Sequence, residues 1–268
     1  MAARILTAVV LLALVGAGLF FLPNAWWTAL LLCVLARASF EWATLARYGA
    51  FGRWAYTVLV VAIAAALLLQ GSEVLQLTAY WIAALFWLLA APLWLIRKWE
   101  PKNVFALGMT GCLVLIPTAL ALARLQAMPG ALIAVLAIVW IADTAAYLVG
   151  RRYGRHHLAP RVSPGKTWEG LLGAGVAVAV YYSVLWLILG DRHSFGDAAQ
   201  LLLLFATVTA MSVQGDLFES WMKRQAGVKD SGALLPGHGG MLDRIDGLTA
   251  SMPFAALWLH YFNYPGLL

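Results

Sequence analysis

Charge is what this sequence has least of. Only 11% of its 268 residues are Asp, Glu, Lys or Arg, against about a quarter in an ordinary soluble domain. That deficit excludes a water-facing globule. The apolar residues, 63% of the chain, come in long blocks, as a bilayer requires. Cysteine is nearly absent too. Cys33 and Cys112 lie inside apolar runs with no metal-type spacing, which excludes a zinc ribbon or a disulfide scaffold and predicts small buried hydrophobes. There is no repeat of fixed period, no low-complexity tail and no stretch polar enough for a soluble domain. The net charge is +6, but the basic residues sit in short loops between apolar spans rather than in a stripe with exposed aromatics. Anionic lipid headgroups and anionic substrates are therefore the expected partners, and nucleic acid is not.

What is there is a polytopic pattern. Nine apolar spans, near 5–22, 26–46, 54–70, 77–96, 104–126, 131–150, 171–190, 198–218 and 247–264, are each about long enough to cross a bilayer as a helix. The first resembles a signal peptide, but its apolar run exceeds the usual 7–15 residues and further spans follow, so it reads as a retained helix. Pro23-Asn24, Gly71-Ser72, Pro101 and Pro129-Gly130 fall between spans. With the N-terminus inside, 15 of the 18 Lys and Arg fall in inner segments. The expected fold is thus all-α, about nine transmembrane helices, N-inside and C-outside, with loops 151–170 and 219–246 both cytoplasmic. Residues 1–130 read as about five N-terminal membrane helices and 131–268 as the catalytic region. Trp26, Trp27, Trp54, Trp94 and Trp99 lie near span ends and read as interfacial belts. Gly170/Ala174, Gly173/Ala177 and Gly175/Ala179 predict close helix packing or a dimer seam at the start of span seven.

The scarce charge is concentrated. Residues 220–246 hold Lys223, Arg224, Lys229, Arg244, Asp230, Asp243, Asp246, His238 and five glycines. If span eight continues, Asp216, Glu219, Ser220 and Lys223 share one helix face. An acidic residue near membrane depth must face protein, water or an ion. Asp243 and Asp246, spaced i, i+3 at the start of span nine, share a face as well. They suit either helix capping or, with Asp216, a hard oxygen set for Mg²⁺. Gly239 and Gly240 flank a turn where backbone N–H groups can approach phosphate, and His238 is a phosphate donor, a base or a packing residue. Asp143, in span six, either joins this site or pairs with Arg151. In the loop after span six, Gly165-Lys166-Thr167 has the ending of a P-loop, but Pro160 occupies the place of its first glycine and no strand context is expected, so a P-loop NTPase is excluded. Ser163, Lys166 and Thr167 remain as phosphate contacts.

Ser220-x-x-Lys223-Arg224-x4-Lys229-Asp230-x-Gly232-x2-Leu235-Pro236-x-His238-Gly239-Gly240-x2-Asp243-Arg244-x-Asp246 resembles the signature of the phosphatidate cytidylyltransferase (CDP-diacylglycerol synthase) family. Gln214-Gly215-Asp216-Leu217-x-Glu219-Ser220, Ala142-Asp143-Thr144-x-Ala146-Tyr147 and Ser163-Pro164-Gly165-Lys166-Thr167-x-Glu169-Gly170 are similar to that family too. The resemblance implies a bacterial inner-membrane enzyme, a homodimer, that turns CTP and phosphatidate into CDP-diacylglycerol and pyrophosphate. It implies dependence on Mg²⁺, with a monovalent cation such as K⁺ beside it. The metal-centre aspartates correspond to Asp216 and Asp243, with Asp246 adjacent; Asp143 is a candidate for the same metal if it joins the site. On this reading Asp216, Lys223, Asp243 and Asp246 are catalytic. Ser163, Lys166, Thr167, Glu219, Ser220, Arg224, Lys229, Asp230, His238, Gly239, Gly240 and Arg244 contact substrate.

Two other classes are weighed. A CTP-dependent lipid kinase would transfer the γ-phosphoryl group and release no pyrophosphate. A transporter would spread charge along several spans near the midplane, whereas here the acids gather at the inner ends of late spans. Arg37 and Glu41 in span two are the one pair suited to a pathway, and an isolated intrahelical ion pair explains them locally.

Overall fold

The computed structural model describes residues 13, 15–189, 195–234 and 239–262. Among them the chain is a bundle of helices: α1 (15–21), α2 (Asn24–Leu45), α3 (Ala50–Gln70), α4 (Glu73–Arg97), α5 (Val104–Leu125), α6 (Pro129–Tyr153), α7 (Trp168–Leu189), α8 (Phe195–Ala226) and α9 (Leu242–Tyr261). Seven of these, α2 to α8, are long and apolar enough to cross a membrane. At 20 residues α9 is long enough at about 30 Å, but Asp243, Arg244 and Asp246 occupy its first turns. Most of the expected first span lies outside the described residues.

Local chemistry sets several boundaries. The Ser72 hydroxyl accepts from the Leu75 N–H to open α4, and Asn103 Oδ1 accepts from the N–H groups of Phe105 and Ala106 to open α5. Gly227 ends α8 at φ +75°, with its N–H donating to the Arg224 carbonyl. Within α4, Phe86–Ala90 widens into a π-turn just before Pro92, so the Ala91 N–H bonds the Phe86 carbonyl and the Trp87 carbonyl is released. Gln214 Nε2 of α8 donates to that released carbonyl.

Two differences from the sequence expectation stand out. The fold is not purely helical: between α6 and α7, strands β1 (His157–Ala159) and β2 (Ser163–Thr167) pair antiparallel. The aromatic assignment also divides. Trp26, Trp54 and Trp99 are exposed, as a belt requires, but Trp27 and Trp94 are buried. Their indole N–H groups donate to the Leu122 and Trp99 carbonyls, so these two rings find polar partners inside the bundle. Cys112 is half-buried, while Cys33 is exposed on the outside of α2, where a small apolar thiol can face lipid.

The core runs between α2, α4, α5, α6, α8 and α9. Its densest point is Phe218, 1% exposed, which meets the rings of Trp42, Phe86, Trp87 and Trp94 with centroids 5.4–6.5 Å away. That packing anchors α8 where its polar residues begin. The small residues of α7 serve intrachain packing: Gly173 lies against Val149 of α6 and Ala174 is buried, while Gly175 faces open space.

Candidate active site

Helix α8 does continue beyond the apolar run, to Ala226, so Asp216, Glu219, Ser220 and Lys223 share a face as their spacing requires. Gly215 is the reason α9 can approach that face. A side chain there would strike the backbone carbonyl of Asp246. With hydrogen in its place, Asp216 and Asp246 come from two helices into one region. Two more residues reach it. Lys166, carried by β2, puts its Nζ 2.6 Å from Asp216 Oδ2 and 3.4 Å from the Val213 carbonyl. Asp143 of α6 stands within electrostatic range of both Asp216 and Lys166. Asp216, Glu219 and Asp143 all stand within electrostatic range of Asp246. Asp143 therefore joins the cluster; the Arg151 guanidinium donates instead to the Tyr147 hydroxyl at 3.1 Å. Ser220 Oγ donates to Asp216 Oδ1 at 3.2 Å.

A second group adjoins the first through Lys223. Its ammonium lies 2.8 Å from Glu219 Oε2 and 2.6 Å from Asp243 Oδ1. Asp243 Oδ2 accepts from the Ser231 N–H at 2.9 Å and the Gly240 N–H at 2.7 Å, with Ser231 Oγ also 2.9 Å away. Asp243 thus ties the loop back to the start of α9 while its other oxygen holds Lys223. Gly239 adopts φ +79°, and a side chain there would meet Asp243 Oδ2 at 2.5 Å, so only glycine fits.

The remaining expected residues are placed less centrally. Thr167 is buried, and its Oγ1 accepts from the Gly170 N–H at 3.1 Å, capping α7. Ser163 opens β2 and is half-buried. Glu169, on the same segment, accepts from the N–H groups of Arg155 and His156 and pairs with His156 Nδ1 at 2.6 Å, which locks the hairpin onto α7. Arg224 Nε donates to the Val162 carbonyl at 3.3 Å and so joins the hairpin to α8. Lys229, Asp230 and Arg244 are exposed around the cluster, and Gly240 is buried beside Asp243. His238 lies outside the described residues.

Sequence reasoning missed Glu41. It is 2% exposed and far from an isolated pair with Arg37: Ser231 and the N–H groups of Met241 and Leu242 all donate to it. The available signal was an acid within an apolar span, and Arg37 at i−4 supplied a sufficient local explanation. A cavity of about 600 Å³ lined by Asn24, Leu32, Leu68, Gln76 and Arg124 opens toward the other end of α2 and holds none of these acids.

Residues 2–262 match the sequence profile of the cytidylyltransferase family. The chain belongs to that family. It is similar to a phosphatidate cytidylyltransferase of Pseudomonas aeruginosa, 42% identical over 264 residues that cover 95% of each chain. It is also similar to proteins of that name from Haemophilus influenzae, 34% identical over 94% of this chain and 96% of the other, and from Brucella suis, 35% identical over 98% and 94%.

In this cytidylyltransferase the charges leave room for a cation. Asp143, Asp216, Glu219, Asp243 and Asp246 gather here, and Lys166 and Lys223 pair directly with three of them. Glu219 Oε1 is buried with no hydrogen-bond partner, an arrangement that is costly unless something positive approaches. Among the described residues no three Asp, Glu, His or Cys side chains already surround one point. An ion here would be held by one or two carboxylates and completed by water and substrate phosphate, the habit of Mg²⁺. Asp216 and Asp246 fit best; Asp243 has only the oxygen facing Lys223 to offer.

Proposed function

We infer that this chain transfers the cytidylyl group of CTP to phosphatidate, forming CDP-diacylglycerol and pyrophosphate in phospholipid biosynthesis. The observation that carries the reading is the convergence of Asp143, Lys166, Asp216, Glu219, Lys223 and Asp246 at one end of an otherwise apolar bundle. The names of relatives that match along nearly the whole chain supply the reaction.

The chemistry is an in-line displacement. A phosphatidate oxygen forms a bond to the α-phosphorus of CTP as the bond to the β-phosphate oxygen breaks, and pyrophosphate departs with that electron pair. The attacking oxygen is already anionic near neutral pH, so no strong general base is required. Catalysis rests on positioning and on charge neutralisation. Lys166 and Lys223 would exchange part of their present carboxylate contacts for triphosphate and lipid phosphate. Arg224, Lys229 and Arg244 add charge at the rim, arginine gripping phosphate bidentately and lysine as a point charge. Mg²⁺ at Asp216 and Asp246, with Asp143 beside them and Asp243 behind Lys223, would neutralise charge on the triphosphate and the leaving group; K⁺ is expected beside it from the family resemblance.

The bias of Lys and Arg toward alternate loops supports nine spans in a bacterial inner membrane, with the cluster facing the cytoplasm, where CTP is. Phosphatidate then enters sideways from the inner leaflet with its acyl chains still in lipid. A homodimer is expected from the same resemblance, and the exposed Gly175/Ala179 strip of α7 offers a free small-residue face for it.

CTP labelled at the α-phosphorus tests the reaction. Purified protein with phosphatidate should carry label into the lipid, and label at the γ-phosphorus should appear in pyrophosphate. Label entering lipid only from the γ-position would establish a kinase instead.

A further inference from the structure

Glu41 is the one buried acid of the N-terminal helices that reaches across the bundle into the signature loop. Its Oε1 accepts from the Met241 N–H at 3.0 Å and its Oε2 from the Leu242 N–H at 2.8 Å. These are N–H groups at the very start of α9, which receives no capping bond from its own N-cap side chain and leaves such donors without an intrahelical partner. A carboxylate 200 residues away in sequence therefore performs the capping, and its negative charge also complements the positive end of the helix dipole. The same carboxylate holds the middle of the loop. Ser231 Oγ lies 2.9 Å from both Glu41 Oε2 and Asp243 Oδ2 and can donate to either. Gly232 is packed so closely that an added side-chain carbon would stand 2.6 Å from Glu41 Oε1. Arg37 closes the arrangement from the other side, 3.0 Å from Oε1 and one-third exposed.

We propose that Glu41 is a positioning residue for catalysis: it sets the pose of Ser231, Gly232 and Gly240 and of the first turn of α9, and through Ser231 the orientation of Asp243 and Lys223. It touches no substrate. Its action is to hold groups that do, and it makes α2 part of the active-site architecture rather than a membrane anchor alone. The inference rests on the reading of this loop as the CTP-binding segment.

The test uses the full-length chain in detergent micelles, with CTP and Mg²⁺ as the probe. CTP affinity is read from the concentration dependence of thermal stabilisation, a property of the folded fraction only. Glu41→Gln keeps the volume but puts an amide donor against N–H groups that need an acceptor. It should weaken CTP binding about tenfold, the loss expected for one helix cap, in protein that still folds, with any fall in the ligand-free unfolding temperature read separately. A purely structural role would lower the ligand-free unfolding temperature and leave CTP affinity intact, and that result would overturn the proposal. If Glu41→Gln does not fold, Ser231→Ala carries the test: it should weaken CTP binding several-fold, and wild-type affinity would overturn the proposal. Wild-type protein that CTP does not stabilise would instead contradict the functional reading beneath it.

Discussion

At the scale of single residues, the site is a balance of carboxylates against two lysines. Asp216 is held by Lys166 and Ser220, and Asp243 by Lys223, Ser231 and Gly240. Their substitutions should therefore fail differently. Asp216→Asn should lower kcat at least roughly 10²-fold, the scale of one strong electrostatic contribution, and raise the Mg²⁺ concentration for half-maximal rate. Asp243→Asn should lower kcat with little change in that midpoint if Asp243 acts through the contacts it makes here, to Lys223 and to the loop at Ser231 and Gly240. Equal Mg²⁺ midpoints in the wild type and Asp216→Asn would remove Asp216 from the metal site. Lys166→Ala should raise the KM for CTP or phosphatidate while the fold survives; unchanged kinetic constants would take β2 out of the site. The residues with this chemistry were legible because acids and lysines are rare in so apolar a chain and their helical spacing could be counted. Glu41 was not legible, since its partners Ser231, Met241 and Leu242 lie about 200 positions away and Arg37 at i−4 offered a complete local account.

At the scale of elements, α8 and α9 matter most, and their joint is built from small and aromatic groups. Gly215 lets α9 approach, and Phe218 locks the opposite side of α8 among four rings. Phe218→Ala should cost about 3 kcal/mol through the cavity it leaves, seen as a lower unfolding temperature. Gln214→Ala leaves the Trp87 carbonyl of the π-turn without its donor. It should destabilise by about 1–3 kcal/mol with KM for CTP unaltered; a changed KM would mean that the turn also shapes the nucleotide site. The long apolar runs made the spans readable, but the elements at their ends were harder. The π-turn before Pro92 leaves no mark on an unbroken apolar run, and the 157–167 hairpin is too short to show a period of two against its Pro and Gly content.

At the scale of the whole molecule, the charged ends of α6 and α8 meet the hairpin on one side of the bundle and α9 packs against α8, while the apolar lengths of α2 to α8 are suited to lipid. The orientation proposed above rests on this together with the loop charges. In a chain with Cys33 and Cys112 replaced by alanine, Arg155→Cys and Val228→Cys should react with a membrane-impermeant maleimide only in inverted vesicles. Val74→Cys, at the start of α4, should react only in right-side-out ones. Labelling of all three from one side would contradict the orientation.

The account as a whole stands on one claim, that the acids and lysines gathered between α6, β2, α8 and α9 carry out cytidylyl transfer. Pyrophosphate release by purified protein supplied with CTP, phosphatidate and Mg²⁺, compared between the wild type and a folded Asp246→Asn variant, tests it most directly. The account predicts release that requires both substrates and falls at least roughly 10²-fold in the variant. Near-normal turnover by Asp246→Asn, or release by the wild type that does not depend on phosphatidate, would contradict it.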